Sequence, residues 1–467
     1  MKDGKRKAED ERQTTFFIIP TMPDLSSARD QQFRRMRDVA REIFTSALTN
    51  ASIENAFARN VHCERRVLRI GDDLHDLDSY QRVFVVSIGK AAHTMAAALE
   101  AQVGSNLEGI VASSVEPASL VRGFRYFRGG HPTPTAESIR AADAILKSLT
   151  SLDSMSLAIF MISGGGSSIV EKPVVSVNDD EISLPDLAAT YQTLVHSGAP
   201  IAEINALRKH LSAVKGGRLA LAAYPAQQVS ILVSDVPDDT PDALASGPTM
   251  PDSTSIHDCE RIAAKYNLIE QFPKSVADLF RQHALDETPK SDDPAFVRAR
   301  WWTVLSNKVA IDEAAAAATR AGFAVEVDNS CDDWPYDKAA TYLLNRLQEL
   351  RKEVSRVCLI SGGEVTVTVR NGGIGGRNQQ FALACAEPIS GRDITILSAG
   401  TDGIDGNSPA AGAVVDGSTL DRAGGAAAVR QALSSFNTYP PFDALGDTVV
   451  TGPTGNNLRD LRILLAY

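Results

Sequence analysis

Two glycine-rich loops, and a lysine beside a further glycine, place polar groups where this chain can hold an anion. Within ISGGGSSIV, Ser163, Gly164, Gly165, Gly166 and Ser167 set three adjacent glycines between two hydroxyls. Glycines let successive backbone N–H groups converge on an anion, and a helix beginning there adds its dipole. The alternative is a tight turn that merely tolerates positive φ. A second run, GGIGGRNQQFALA, sets Arg377 between Gly376 and Asn378 at the start of a helical pattern. A guanidinium there can grip phosphate oxygens bidentately. Otherwise it is a solvated arginine in a place the helix dipole makes unfavourable for a cation, a mismatch that an anionic ligand would repair. Lys90, pointed by Gly89 at the end of RVFVVSIGK, can neutralise charge on a group in transfer; the plain alternative is a surface lysine. SIGKAA is not a Walker A loop, because Phe84 stands where that motif needs its first glycine.

Carboxylates follow two other strands: Asp235, Asp238 and Asp239 come after ILVS, and Asp402 and Asp405 after ILSAG. Magnesium takes one or two carboxylates and otherwise water and substrate phosphates. Asp235 and Asp402, each the first carboxylate past its strand, are therefore the candidates for metal contact, and one Asp can accept a hydroxyl proton. Capping and turn formation explain some of the others. The segment INALRKHLSAVKGGRLA gathers Arg208, Lys209, His210, Lys215 and Arg218. Lys215, beside Gly216 and Gly217, is the cation singled out for substrate binding, while Arg208 and Lys209 equally suit a solvated helix face. His131, in FRGGHPTP, either orients substrate or bonds to backbone. The sequence holds no H-E-x-x-H, Cys/His cluster, G-x-S-x-G elbow, G-x-G-x-x-G fingerprint or H-R-D and D-F-G pair. Zinc, serine-hydrolase, standard nicotinamide and protein-kinase chemistries thus lack their motifs.

The elements that must carry these positions read as alternating strands and helices. Val83–Ile88, EGIVASSV, SLAIFMIS and QQVSILVSDVP are apolar strands, separated by helical stretches such as TAESIRAADAILKSL, which opens at Thr135 with Ser138 following. Such strands predict a mostly parallel sheet covered on both faces, with ligands at its carboxyl ends. Helix is expected over roughly 258–321, broken near DETPKSDDP, then a strand at FAVEVDN and a helix at YDKAATYLLNRLQELRKE. RVCLISGGEVTVTV, DITILSAGTDG and AGAVVDG supply a second set of strands. The expected division is an N-terminal domain over 28–280, a smaller α/β domain over 345–467, and a connecting or packing region over 281–344.

With 467 residues the chain exceeds the ~250–300 at which one core stops growing. A net charge of −11 without a basic stripe opposes nucleic-acid binding. No apolar run approaches the ~18 residues of a membrane span, and the charged start MKDGKRKAEDERQTTFF lacks a secretory pattern. Five scattered cysteines read as reduced thiols, so a cytoplasmic location is expected. Residues 1–27 read as polar and frayed, with Phe16, Phe17, Ile18 and Ile19 able to pack on a neighbour.

Taken in order, SIGKAA, GGHPTP, ISGGGSS, INALRKHLSAVKGGRLA, LVSDVPDD, ASGPT, SGGEVTV, GGRNQ, SAGTDGIDG and TGPTGNN resemble a type II glycerate 2-kinase, from about Arg34 to the end. The resemblance implies a Rossmann-like N-terminal domain, a smaller α/β C-terminal domain, and an active site in the cleft between them. It implies transfer of the γ-phosphoryl group of ATP to the 2-hydroxyl of D-glycerate with Mg²⁺, with Lys90 and Arg377 in the cleft. Asp235 and Asp402 carry over only as acidic cleft residues, and Glu364 and Asn456 as residues that shape the nucleotide or substrate pocket. The chain departs from the family in its polar start and in a Pro/Asp-rich insert around 286–294. A hydroxypyruvate reductase and a non-catalytic sensor of a sugar acid or nucleotide are the competing readings. The residues alone leave the 2- and 3-hydroxyls, nucleotide preference and oligomeric state open.

Overall fold

The computed structural model describes residues 25–105, 107–117, 119–175, 182–369 and 372–467. The segment holding Phe16–Ile19 lies outside the described residues. Three short antiparallel strands, Val61–Glu64 (β1), Val67–Ile70 (β2) and Asp73–Asp76 (β3), precede the first large sheet. That sheet contains Arg82–Ile88 (β4), Glu108–Ser113 (β5), Phe124–Arg128 (β6), Ser156–Ser163 (β7), Gln227–Val233 (β8) and Ala299–Leu305 (β9), in the order β6-β5-β4-β7-β8-β9. Every pairing in it is parallel. Counted from β4 this is the doubly wound order 3-2-1-4-5-6, whose direction of travel reverses between β4 and β7.

The central strands alternate between two buried faces, so neither face is polar. Val85, Leu157, Ile159 and Ile231 pack with Met95 and Leu99 of the Ala92–Val103 helix. Phe84, Val86, Phe160 and Ile162 pack with Ala141 and Ile145 of the Ala136–Leu149 helix. That second helix starts at a capping box between Thr135 and Ser138, which satisfies N–H groups its first turn would otherwise leave free. Helices from 184–210 and 256–281 form a separate apolar cluster around Leu194, Leu207 and Phe280.

The second sheet contains Ala324–Val327 (β10), Val357–Gly363 (β11), Ile394–Gly400 (β12), Gly412–Asp416 (β13), Thr448–Val449 (β14) and Asp460–Ala466 (β15), in the order β10-β11-β15-β12-β13-β14. Only β10 and β11 run parallel; β15 lies antiparallel between β11 and β12. The long Leu25–Asn50 helix covers this sheet rather than the first, placing Ile43, Phe44 and Ala47 against Leu397, Ile463 and Leu465. Burying Ile43 and Phe44 stabilises the contact by about 1.5–3 kcal/mol each. The buried Arg37, paired with Asp416 and 3.3 Å from Asp447, adds little net energy but fixes the helix's register, because desolvation offsets most of a buried pair's attraction.

Two expectations need correction. Residues 299–305 are strand β9, not part of a helical region, since ARWWTVL forms a half-exposed edge strand in which Trp301 packs on Phe296 and Trp302 donates to Asp73 Oδ2 at 2.7 Å. The strand at FAVEVDN belongs to the second sheet. We propose a division by sheet membership, with residues 52–305 forming one unit and 25–50 joining 307–467 in the other. The chain then crosses between units at Ala51 and at Ser306. Asn307, just past the second crossing, donates to the carbonyls of Leu458 (2.6 Å) and Asp460 (3.1 Å) and accepts from Gly363 N–H (2.9 Å).

Candidate active site

The reversal point between β4 and β7 opens a crevice at the strands' carboxyl ends, and the loops leaving these two strands are laced together there. Lys90 N–H donates to Gly164 O (2.9 Å), Ala91 N–H to Ser163 Oγ (3.1 Å), and Ser163 Oγ to Ile88 O (3.3 Å). Gly89 has φ +120° and a Cβ there would lie 2.2 Å from Ser163 Oγ, so this crossing requires glycine. The result points Lys90 into open space, and among the described residues no carboxylate forms an ion pair with it. Gly164 is equally constrained, since a Cβ there would lie 2.0 Å from Asp235 Oδ2. Asp235, just past β8, therefore lies directly under the glycine loop. Burial pushes its carboxyl above the ordinary range, and the charges of Lys90 and Arg459 pull against that. His131 abuts Gly165; burial, then the charge of Lys90, lowers its pKa and favours a neutral ring. Gly166 starts a single helical turn against Ala245, and Ser167 Oγ is 2.9 Å from Ser246 Oγ.

The facing wall comes from the second sheet. Asp402, after β12, accepts Ile404 N–H (3.1 Å); burial, followed by Asp460, raises its pKa, while Arg377 and Lys90 oppose the rise. Arg377 opens the helix Arg377–Ala386 and grips Asp460 with Nε at 2.6 Å and Nη2 at 3.0 Å, with Glu364 2.9 Å away. Burial works against its charge, but these carboxylates hold its pKa above the ordinary value. The cation at this helix start is thus balanced within the chain. Glu364 is raised by burial and by Asp460, with Arg377 and Arg459 opposing. Asp405 caps the same helix by accepting Asn378 N–H (3.0 Å) and Gln379 N–H (2.9 Å), while burial lifts its pKa to about 7. Gly376 leaves room for it, because a Cβ there would meet Asp405 Oδ1 at 2.2 Å.

A cavity of about 530 Å³ joins the two walls, lined by Lys90, Ser163, Gly164, Asp402 and Asn456 among others. Asn378 is turned inward instead: it is buried, and its Oδ1 accepts from Ser398 Oγ (2.6 Å). Lys215 also lies elsewhere, fully buried in an ion pair with Glu171 beside Tyr191 and Ser212. We predict that Lys215→Met costs about 3–5 kcal/mol, because it leaves Glu171 buried without its cation. Adding Glu171→Leu should restore most of that loss in denaturant melts. A Lys215→Met single variant as stable as the parent would contradict this structural role.

Reasoning from sequence missed Asp460, Arg459 and Asp332. Arg459 forms a bidentate pair with Asp332 at 2.6 Å for both bonds, and its backbone adopts φ +68°. The one available signal was the adjacent Arg-Asp at 459–460, one residue past the glycine-rich TGPTGNN. Among the described residues no group of three or more His, Cys, Asp or Glu is arranged to hold a metal by itself. Asp402 lines the cavity and Asp235 lies beneath Gly164, carboxylates of the kind a hard cation takes when ligand oxygens complete its shell.

Known proteins resemble the chain over most of its length. A domain of unknown function (DUF4147) matches residues 39–281, and the MOFRL family matches residues 357–460. The D-glycerate 2-kinase of Thermotoga maritima is 35% identical over 392 residues, covering 82% of this chain and 90% of that protein. A protein of Agrobacterium vitis with the provisional name hydroxypyruvate reductase is 36% identical over 439 residues, covering 92% and 94% respectively. The crystal structure of a glycerate kinase from Thermotoga maritima superposes with a TM-score of 0.79 at 31% identity, covering 93% of this chain and 100% of that one.

Proposed function

Because the chain belongs to the type II glycerate 2-kinase family, we propose that the cleft between its two sheets performs that family's reaction, with Lys90 and Asp235 at its centre. The protein is an ATP-dependent glycerate 2-kinase that transfers the γ-phosphoryl group of ATP to the 2-hydroxyl of D-glycerate, giving 2-phosphoglycerate and ADP. The observation that supports these residue roles best is the unpaired Lys90 ammonium at the β4–β7 reversal, close enough to influence both Asp235 and Asp402.

The charges define the task. Glycerate brings a carboxylate and ATP several phosphate charges, so the cleft must supply cations where charge spreads over the transferring group. Lys90 does this from the first wall. Arg377 contributes from the second through Nη1, since Nε and Nη2 are held by Asp460. Gly164 and Gly165 allow phosphate oxygens to approach the backbone closely, with Ser163 bracing the loop. Asp235 accepts the proton of the 2-hydroxyl, and its raised pKa makes it a stronger base than an ordinary aspartate. Asp402 and Asp235 suit a magnesium ion, which would need only one or two protein carboxylates beside the phosphates. When bound, magnesium neutralises charge on the β- and γ-phosphates. His131 and Glu364 border the acceptor and nucleotide phosphates.

D-glycerate should stimulate ADP release from ATP by the purified protein. Oxidation of NADH on adding hydroxypyruvate, without glycerate-dependent ADP release, would overturn the kinase in favour of the reductase. The same protein should show kcat/KM, which reports the free enzyme, falling as pH is lowered, with the acid limb lying above the ordinary aspartate value of about 3.9, because burial raises both Asp235 and Asp402 before ligands bind. The effect on stability has the opposite sign. A raised carboxyl favours folding below its unfolded pKa and loses that contribution as pH rises through the folded value, so these two aspartates cost stability where they are active. An acid limb at the ordinary aspartate value in the pH profile would contradict Asp235 as base.

A further inference from the structure

Gly362, Gly363 and Glu364, at the end of β11, have their backbone claimed by side chains from elsewhere in the second unit. Gly362 N–H donates to Asn329 Oδ1 (2.8 Å), Gly363 N–H to Asn307 Oδ1 (2.9 Å) and Glu364 N–H to Asp332 Oδ1 (2.9 Å), while the carbonyls of Gly362 and Gly363 accept from Arg462. Asn307 does more than the others. Its Nδ2 also donates to the carbonyls of Leu458 (2.6 Å) and Asp460 (3.1 Å), so one amide spans from β11 to β15. Gly363 and Asp460 are the pair at which the ladder between these strands ends. The amide is held in one orientation, because a carbonyl can only accept and a backbone N–H can only donate. Gly362 makes room for it: a Cβ there would lie 2.0 Å from Asn307 Oδ1.

The two carboxylates at this strand end both hold Arg377. Asp460 takes the guanidinium Nε and Nη2, and Glu364, next to Gly363, stands 2.9 Å from Nη2. The separation of these carboxylates sets the direction of the guanidinium, and Asn307 ties together the two strand ends that carry them. Asn307 is also the first residue of the helix Asn307–Arg320, just after the chain leaves β9 and crosses between units. Leu458, whose carbonyl it binds, is fully buried in the apolar cluster of the first sheet together with Ala51, Leu305 and Ala310. The joint between the units and the setting of Arg377 therefore share one side chain. Both amide protons of Asn307 are spent on backbone carbonyls, which leaves it no donor for a ligand.

We propose that Asn307 is a positioning residue for phosphoryl transfer: it holds Glu364 and Asp460 at a fixed separation and so aims Arg377 at the phosphates from the joint between the two units. The proposal rests on the role given above to Arg377. Misplacing a catalytic group by about 1 Å can cost about 10²-fold in rate, so an amide that touches no reacting atom still acts on kcat.

Steady-state kinetics on full-length Asn307→Ala and Asn307→Ser, each alone and combined with Arg377→Lys, test this. Either single variant should lower kcat for glycerate-dependent ADP release by about tenfold or more, with KM for D-glycerate and for ATP within about threefold of the parent, the pattern of an interaction lost in the transition state alone. In the Arg377→Lys background, where no guanidinium is left to aim, the same substitution should change kcat by less than about twofold. Equal losses in both backgrounds would show that Asn307 acts independently of Arg377 and overturn the proposal. So would parental kcat in a single variant whose thermal melt shows it folded. Unfolding of both single variants at the assay temperature would make Asn307 a structural residue and overturn it as well. Parental kcat in Arg377→Lys alone would defeat the role of Arg377 and the proposal with it, whereas a large loss there without coupling to Asn307 defeats the positioning role alone.

Discussion

Replacing Lys90 with alanine should lower kcat by about 10²–10³-fold, the usual cost of deleting one preorganised charge that meets a developing anion. The fold should survive, because the ammonium is exposed and pairs with no carboxylate among the described residues, and surface changes of this kind stay within about 0.5 kcal/mol. The backbone at this position does the structural work instead, through the bond from Lys90 N–H to Gly164 O, which alanine retains. Glycerate-dependent ADP release beside a thermal melt separates the two effects. Near-parental turnover in a folded Lys90→Ala protein would remove the residue from the mechanism.

Arg377→Ala should damage stability as well as turnover, and the contrast with Lys90 is a direct consequence of their partners. Asp460 is fully buried and is held by the Arg377 fork. Deleting one member of such a pair costs about 3–5 kcal/mol, reduced here to about 2–3 kcal/mol because the arginine is 35% exposed. Arg377→Lys should recover part of the stability but little of the turnover, since an ammonium cannot reproduce the two-pronged contact and still face the phosphates. Denaturant melts and steady-state kinetics on both variants check this. An Arg377→Ala protein with parental stability and turnover would contradict both the structural and the catalytic assignment.

Much of the first sheet was legible because its strands obey one rule: both faces are buried, so SLAIFMIS and its neighbours appear as unbroken apolar runs followed by glycine or aspartate. The loops that build the first wall were legible for the same reason, lying at strand ends where glycine is needed for close approach. Strand β15 was not, although it is central to the second sheet. Asp460 and Arg462 break its apolar pattern, and only the fold reveals that both are buried, Asp460 against Arg377 and Arg462 against the carbonyls of Gly362 and Gly363. Strand β9 was hidden by its edge position, which leaves Trp301 and Trp302 half exposed.

The site residues divide along similar lines. Local sequence identifies a side chain's chemistry but not where that chemistry is spent. Lys215 reads as a free cation between glycines, yet its partner Glu171 lies 44 residues earlier. Arg377 reads as needing an external anion, because Asp460 lies 83 residues away on a strand the pattern concealed. Asn378 follows it in sequence but lies on the inner side of the helix, so its amide serves Ser398 and Asp405. Lys90 is different: the glycine that aims it is its neighbour, and the side chain lines the cleft cavity.

Phosphorus NMR of the product formed from D-glycerate, ATP and Mg²⁺ distinguishes phosphoryl transfer, and the hydroxyl attacked, in one spectrum. A single new phosphomonoester resonance, that of 2-phosphoglycerate, should appear as ADP accumulates. A 3-phosphoglycerate resonance would contradict the assignment of the attacked hydroxyl, and no phosphorylated product from folded protein would contradict the kinase itself.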